Sequence, residues 1–241
     1  MVIFIVVGAL FPMQMTMANK IDKLWAEYTQ ALFGATEETD RELYRRLLQK
    51  VKPDNGIRLE NQDVTSPFDV LQHCESSTGV VEIKIRHKYT YEQFSDISVD
   101  TVKINSMLAA MDYHSATNAY LVAMYPKSDK AVIIDVTYID YDEEDIEERE
   151  AENTSIAQYK HKKSKSFIPL SIHRGKGTNG TRTYVYSYPN LMSDYVEVFR
   201  EECAKRNIPE YISDNVIRDF IHPTCSSHVS GLRQNSVRLH M

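Results

Sequence analysis

Residues 66–86 read SPFDVLQHCESSTGVVEIKIR. The reading of this stretch decides the fold. Ser76-Ser77-Thr78-Gly79 is turn chemistry, and apolar, β-branched residues follow it directly, so a hairpin is predicted with strands over 68–73 and 80–86. Side chains of a strand alternate between its two faces. Val81, Ile83 and Ile85 therefore point one way, into a core, while Glu82 and Lys84 point the other way, side by side. Asp69 lies on the preceding strand, and pairing across the turn can bring it close to Glu82.

A carboxylate pair with an adjacent ammonium group has a definite chemical use. Carboxylates are hard oxygen ligands suited to Mg²⁺ or Mn²⁺. Two of them held close repel one another unless a cation lies between them. The main-chain carbonyl of Ile83 is a further candidate ligand. Such an ion lowers the pKa of a bound water and offsets charge on a phosphate. Lys84 is then placed to orient that water or to offset charge in the transition state.

Asp69 opening one strand, Glu82-Ile83-Lys84 in the next, then a helix and another strand: this pattern resembles the PD-(D/E)xK nuclease superfamily, many of whose members are phage or mobile-element enzymes. Pro67-Phe68-Asp69 stands in for the Pro-Asp element with one residue inserted. The resemblance covers residues 39–139. It implies a restriction-endonuclease-like core that hydrolyses phosphodiester bonds in DNA with Mg²⁺, or Mn²⁺, and needs no nucleotide cofactor. It further implies an endonuclease, with DNA as partner and a homodimer as the expected assembly. Asp69, Glu82 and Lys84 are the implied catalytic residues. Asp69, Glu82 and Ile83 would hold the metal, joined by an acid from the first helix, for which Glu42 is the choice and Glu27 the next. Lys103, early in the following helix, would face the site. The alternative is the same fold kept as a catalytically inactive nucleic-acid-binding or protein-interaction module.

Working outward, Asn19 can cap a helix to about residue 33, with Ile21, Leu24, Trp25, Tyr28 and Leu32 as its apolar stripe and Gly34 as its stop. Thr39 and Glu42 have capping-box spacing for a second helix over 39–51. A strand at 57–61 precedes the hairpin. A helix capped by Ser98 is expected over 99–111, then strands at 119–125 and 131–139. Arg86, His87, Lys88 and Tyr91 place basic and aromatic side chains directly after the hairpin, which suits Arg86, Lys88 and Tyr91 to a nucleic-acid backbone. Residues 140–152 are acidic and 160–165 (KHKKSK) basic, read as a solvated long hairpin. Strands at 167–172 and 183–188 flank a glycine-rich loop that lacks a P-loop ending. Arg174, Lys176 and Arg182 border that loop. Helices over 191–206 and 213–222 close the chain. The fold class is therefore α/β: a central mixed β-sheet flanked by helices, with a C-terminal α/β extension. The expected division is 17–140 for the core, 141–225 for the extension and 226–241 for a loose tail.

Composition bounds the rest. The 241 residues carry 28 Lys and Arg against 34 Asp and Glu, a net charge of −6. That excludes a protein that coats nucleic acid by bulk charge. Three cysteines without paired spacing exclude a disulfide framework and a zinc site, and point to a cytoplasmic location. The apolar run at 2–11 is too short for a confident membrane span. Met17-Ala18-Asn19-Lys20 reads as a start, which makes 1–16 an upstream or disordered segment and leaves no membrane partner.

Overall fold

A computed structural model describes residues 10–53, 56–63, 66–152, 162–177 and 179–221. Its elements in chain order are α1 (Leu10–Val51), β1 (Arg58–Asn61), β2 (Val70–Cys74), β3 (Ser77–Ile85), β4 (Asp96–Asp100), α2 (Thr101–Tyr113), β5 (Asn118–Tyr125) and β6 (Lys130–Asp135). Then follow β7 (Glu147–Glu152), β8 (Lys162–Ser171), β9 (Gly175–Lys176), β10 (Arg182–Ser187), α3 (Leu191–Lys205) and α4 (Glu210–Ile221). The main sheet has the order β1-β2-β3-β5-β6-β10-β9, and a second sheet has the order β4-β8-β7. β3 and β5 are parallel, and the other pairs of the main sheet are antiparallel. The fold is thus a central mixed sheet flanked by helices, as expected.

The parallel pair follows from the connection. β2 and β3 are joined by a tight turn and so run antiparallel, whereas β3 and β5 are joined through β4 and α2, a crossover long enough to return the chain to the same end. Strand alternation sends Val81, Ile83 and Ile85 of β3, with Val122 and Met124 of β5, into a core beneath α1, α3 and α4. Val80 of β3 and Leu121 and Ala123 of β5 enter a second core beneath α2 and the smaller sheet. The sheet is therefore buried on both faces around β3. A charged side chain on β3 must find partners inside the protein.

Two sequence expectations change. First, α1 is one 42-residue helix that runs through Gly34. A Cβ on Gly34 would lie 3.2 Å from Nε of Arg206, so this glycine makes room for the end of α3 and does not stop a helix. The Thr39 hydroxyl donates to Ala35 O within the helix (2.7 Å), so it caps nothing. Second, residues 96–100 form β4, and the cap of α2 is Asp100, which accepts from the Val102 amide at 3.0 Å. The acidic and basic stretches form a long hairpin, as expected, with Glu148 opposite Ser166 and Glu152 opposite Lys162. Across the pair Glu148 accepts hydrogen bonds from the Ser164 and Ser166 hydroxyls.

The C-terminal segments complete both sheets: β10 pairs with β6, and β8 pairs with β4. Tyr188, Leu191, Tyr195 and Phe199 share the core with Leu43 and Leu47 of α1. Residues 1–9 of the expected upstream segment, and 222–241 with the expected tail, lie outside the described residues, while 10–16 belong to α1. No helix among the described residues is long and apolar enough to cross a membrane.

Gly180 closes the turn into β10 with φ +76°, and a Cβ there would come 2.3 Å from the Tyr138 carbonyl oxygen. Left-handed strain and a backbone clash act together, so Gly180→Ala is expected to destabilise the fold by about 1–3 kcal/mol. Urea denaturation would register this as a lower midpoint at an unchanged slope.

Candidate active site

The site forms where β2 and β3 part. The ladder between them begins with Val70 opposite Val81 and ends with the Asp69 amide donating to Val81 O at 3.0 Å. Beyond that point β3 continues toward Ile85, paired with β5 alone. The Ile83 amide thus faces an open edge, and the Asp69 carboxylate accepts its hydrogen bond at 2.6 Å. In a strand the N–H and C=O of one residue point to the same side. The Ile83 carbonyl accordingly faces the same edge as Asp69.

Glu82 lies on the α2 side of β3 and is 1% exposed. Its two carboxylate oxygens meet two ammonium groups: Lys84 Nζ at 2.5 Å and Lys103 Nζ at 2.7 Å. Lys103 reaches it from the first turn of α2. The Lys84 and Lys103 side chains keep 43% and 29% of their surface. Burial alone would raise the Glu82 pKa, but the two lysines outweigh it and hold the carboxyl below its ordinary value. Burial would lower the Lys84 pKa, and Glu82 with Asp69 reverses that, so Lys84 stays firmly protonated.

Asp69 is in the opposite condition. Burial, then repulsion from Glu82, push its pKa up to about 7, against the pull of Lys84 and of the Ile83 amide. α1 brings two more acids close. Asp40 is raised well above its ordinary value by burial and by the Asp69 charge, and Glu37 is raised mainly by burial. Both also sense Glu82 and Lys84. A connected set of bonds fixes α1 here. Arg41 donates to Gln62 O at 2.8 Å and to Glu38 at 2.5 Å, and the Gln62 amide donates to Asp69 O at 2.9 Å.

Asp69, Glu82, Lys84 and Lys103 therefore converge, as the sequence reading expected of them. Glu42 does not join them: its carboxylate is taken by Arg45 and Arg46 along α1. The acids of α1 that face the site are Glu37 and Asp40. Their signal was present in the helical phase. If α1 is continued through Gly34, the buried stripe is Ala35, Thr39, Leu43 and Leu47, and 37, 40 and 44 lie along a neighbouring stripe. The Glu27 side chain lies outside the described residues. Arg86 is half-buried beside Tyr125 and Tyr89, and burial lowers its pKa. Tyr91 is engaged in packing: its hydroxyl donates to Ile172 O at 3.3 Å, and its ring meets Tyr125 and His173 edge-on. Lys88 is half-buried beyond the end of β3.

A divalent cation suits this donor chemistry. Asp40 Oδ1 and Glu37 Oε2 are buried without hydrogen-bond partners, and burial, then the Glu82 charge, pushes the Asp69 carboxyl up. Among the described residues no three His, Cys, Asp or Glu side chains converge on one ion. The donor set that fits is two carboxylates, Asp69 and Glu82, with a main-chain carbonyl and water.

No protein-family model matches the chain, and no curated protein matches its sequence. Among solved structures it is similar to Hjc, a Holliday junction resolvase from the archaeal hyperthermophile Archaeoglobus fulgidus. The identity is 13% and the TM-score 0.33, over 53% of this chain and 86% of that one.

The raised acids set a pH dependence. An acid whose folded pKa exceeds its unfolded value binds its proton more tightly when folded. For Asp69 the window runs from the ordinary 3.8 to about 7. Stability in the presence of a chelator should fall as pH rises through that window and then level, with Asp40 acting in the same direction. Asp69→Asn should flatten the fall. Denaturant midpoints at half-unit pH steps would show it, and an identical slope in both proteins would contradict the assignment.

Proposed function

We propose that this chain is a Mg²⁺-dependent deoxyribonuclease of the PD-(D/E)xK kind, cutting within DNA. The observation that carries the reading is the convergence at one open strand edge of Asp69, a buried Glu82 and two lysines. Asp69, Glu82 and the Ile83 carbonyl would hold the ion, with Mn²⁺ able to replace Mg²⁺. When bound, the metal supplies a water of lowered pKa and positive charge beside the scissile phosphate.

The remaining steps belong to the protein. Lys84, firmly protonated and partly exposed, donates to the attacking oxygen or to the phosphate and offsets the negative charge that grows in the transition state. Lys103 comes from another element and contacts a non-bridging phosphate oxygen. A duplex approaching the site brings phosphates that compete with Glu82 for both ammonium groups. Glu37 and Asp40 hold their protons more tightly than usual and would favour a cation on ionising. Arg86 and Lys88, past the end of β3, would take the backbone phosphate next in line. Tyr91 serves this surface by packing the turn that carries it.

Supercoiled plasmid incubated with and without Mg²⁺ tests the reading. Metal-dependent nicking or cutting is expected from the parent, and a loss of about 100-fold or more from Glu82→Ala and from Lys84→Ala. Undiminished cutting by both variants would remove the proposed site. Binding without cleavage under every divalent ion would favour the inactive module.

The same assay separates the acids of α1. Asp40→Asn should depress cutting and raise the Mg²⁺ concentration needed for half-maximal rate. Glu42→Ala should leave both within about twofold, since its carboxylate serves only the half-buried pairs with Arg45 and Arg46 along α1.

A further inference from the structure

The main sheet carries a second set of side chains whose chemistry suits nucleic acid, on the face opposite Glu82 and Lys84. The register defines it. Residues directly opposite one another in a sheet project to the same face. Val81 pairs with Tyr120, Tyr120 with Asp135, Asp135 with Arg182, and Arg182 with Lys176. One row across the face thus holds Tyr120, Asp135, Arg182 and Lys176. In the next row Ile83 pairs with Val122, Val122 with Ile133, and Ile133 with Tyr184. The row beyond it ends in Ala131 and Tyr186. Tyr120, Tyr184 and Tyr186 therefore stand together on one face.

These tyrosines are half-buried, while Arg174, Lys176 and Arg182 around them are exposed. The rings lie close enough to influence one another, since Tyr184 and Tyr186 each contribute to raising the Tyr120 pKa after burial and Asp135. Arg174 lies near Tyr186 and opposes the burial that raises its pKa. Among the described residues none of the three cations forms an ion pair with a carboxylate. Asp135, the acid in this row, turns to its own strand end and accepts from the Thr137 amide at 3.1 Å. Gly79 of β3 abuts the patch: a Cβ there would meet the Tyr120 ring at 3.1 Å, so the glycine lets that ring lie down on the sheet.

We propose that this face binds single-stranded nucleic acid, with unpaired bases stacked on Tyr120, Tyr184 and Tyr186 and the backbone held by Arg174, Lys176 and Arg182. Every base has an apolar face that a ring can stack on, worth about 1–3 kcal/mol per base. A duplex keeps its bases stacked inside and offers only phosphates. Rings beside cations without carboxylate partners, at the half-exposed border where Tyr120 and Tyr186 pack against the core beneath the helices, match the strand that offers both. The site is separate from the cleavage edge, because Glu82 and Lys84 leave β3 on the other face.

The test uses the full chain carrying Glu82→Ala, in chelator, so that neither cleavage nor metal enters the result. Fluorescence anisotropy with a labelled oligo(dT) and with a duplex of equal length reads affinity against salt. Tyr184→Ala combined with Tyr186→Ala should weaken oligo(dT) binding tenfold or more with its salt slope preserved, and leave duplex binding nearly unchanged. The paired Tyr→Phe variant should bind like the parent, since the ring is kept. Replacing Arg174, Lys176 and Arg182 by Ala should reduce the slope of log affinity on log salt by about 2, as three single-strand phosphates lose their contacts. Unchanged oligo(dT) affinity in both sets would overturn the proposal, as would an equal loss on duplex. So would sedimentation showing that the Tyr→Ala variant only dissociates a dimer, which would make the face an interface between copies of the chain.

Discussion

The structure turns on a carboxylate buried where a strand pairing ends. β2 and β3 separate after Val81, and Glu82 is the next residue. An ionised carboxylate withdrawn from water costs several kcal/mol even after the protein relaxes. Glu82 remains ionised because Lys84 and Lys103 approach it from two elements. Lys84 is placed by β3 itself, opposite Ala123 of β5. Lys103 requires α2 to begin where it does, and that start depends on β4 and the Asp100 cap. The crossover that makes β3 and β5 parallel is also what delivers the second ammonium group.

The same opening creates an imbalance of charge. Four acids, Glu37, Asp40, Asp69 and Glu82, sense one another here, and two lysines answer them. Arg41 is occupied by Glu38 and by the Gln62 carbonyl. Glu82 takes both lysines, while burial above all makes the other acids hold their protons more tightly. Protons and a divalent cation relieve such a surplus in the same way, so they compete for it. A fold designed only for stability would have little reason to retain Asp40 with a buried, unpartnered oxygen.

Much of this was legible in residues 66–125. Alternation in GVVEIKI assigns both faces of β3 without any knowledge of its partners, and the hairpin, α2 and β5 follow from turn and period. The failures have physical causes. Gly34 was read as a stop because local propensity is weak against tertiary packing, and the demand of Arg206 for space is invisible along the chain. That break reset the helical phase and pointed to Glu42 where the continuous helix presents Glu37 and Asp40. β4 was missed because Asp96, Ser98 and Asp100 alternate with just two apolar residues, and Ser98 and Asp100 are both good caps. The hairpin of β7 and β8 was expected, but its joining to β4 in a second sheet was not, since pairing with so distant a strand has no local signature.

The negative total charge has to be set against where the charges lie. A net −6 opposes a polyanion at long range, and that repulsion is screened over about 10 Å in ordinary salt. Attraction must then come from short-range placement. Lys84 of β3 and Lys103 of α2 stand at the candidate site, with Arg86 just past the end of β3. Arg174, Lys176 and Arg182 stand on the opposite face, among tyrosines. Lysines already engaged by Glu82 can turn to phosphate only by leaving a buried carboxylate exposed to another cation. Under the proposed function the two would assist each other here: phosphate would draw off the ammonium groups of Lys84 and Lys103, and Glu82 would be freed to help hold a divalent cation. On both proposals, repulsion at a distance together with such linkage would disfavour casual contact with nucleic acid and reserve tight association for a strand that fits both charge and ring.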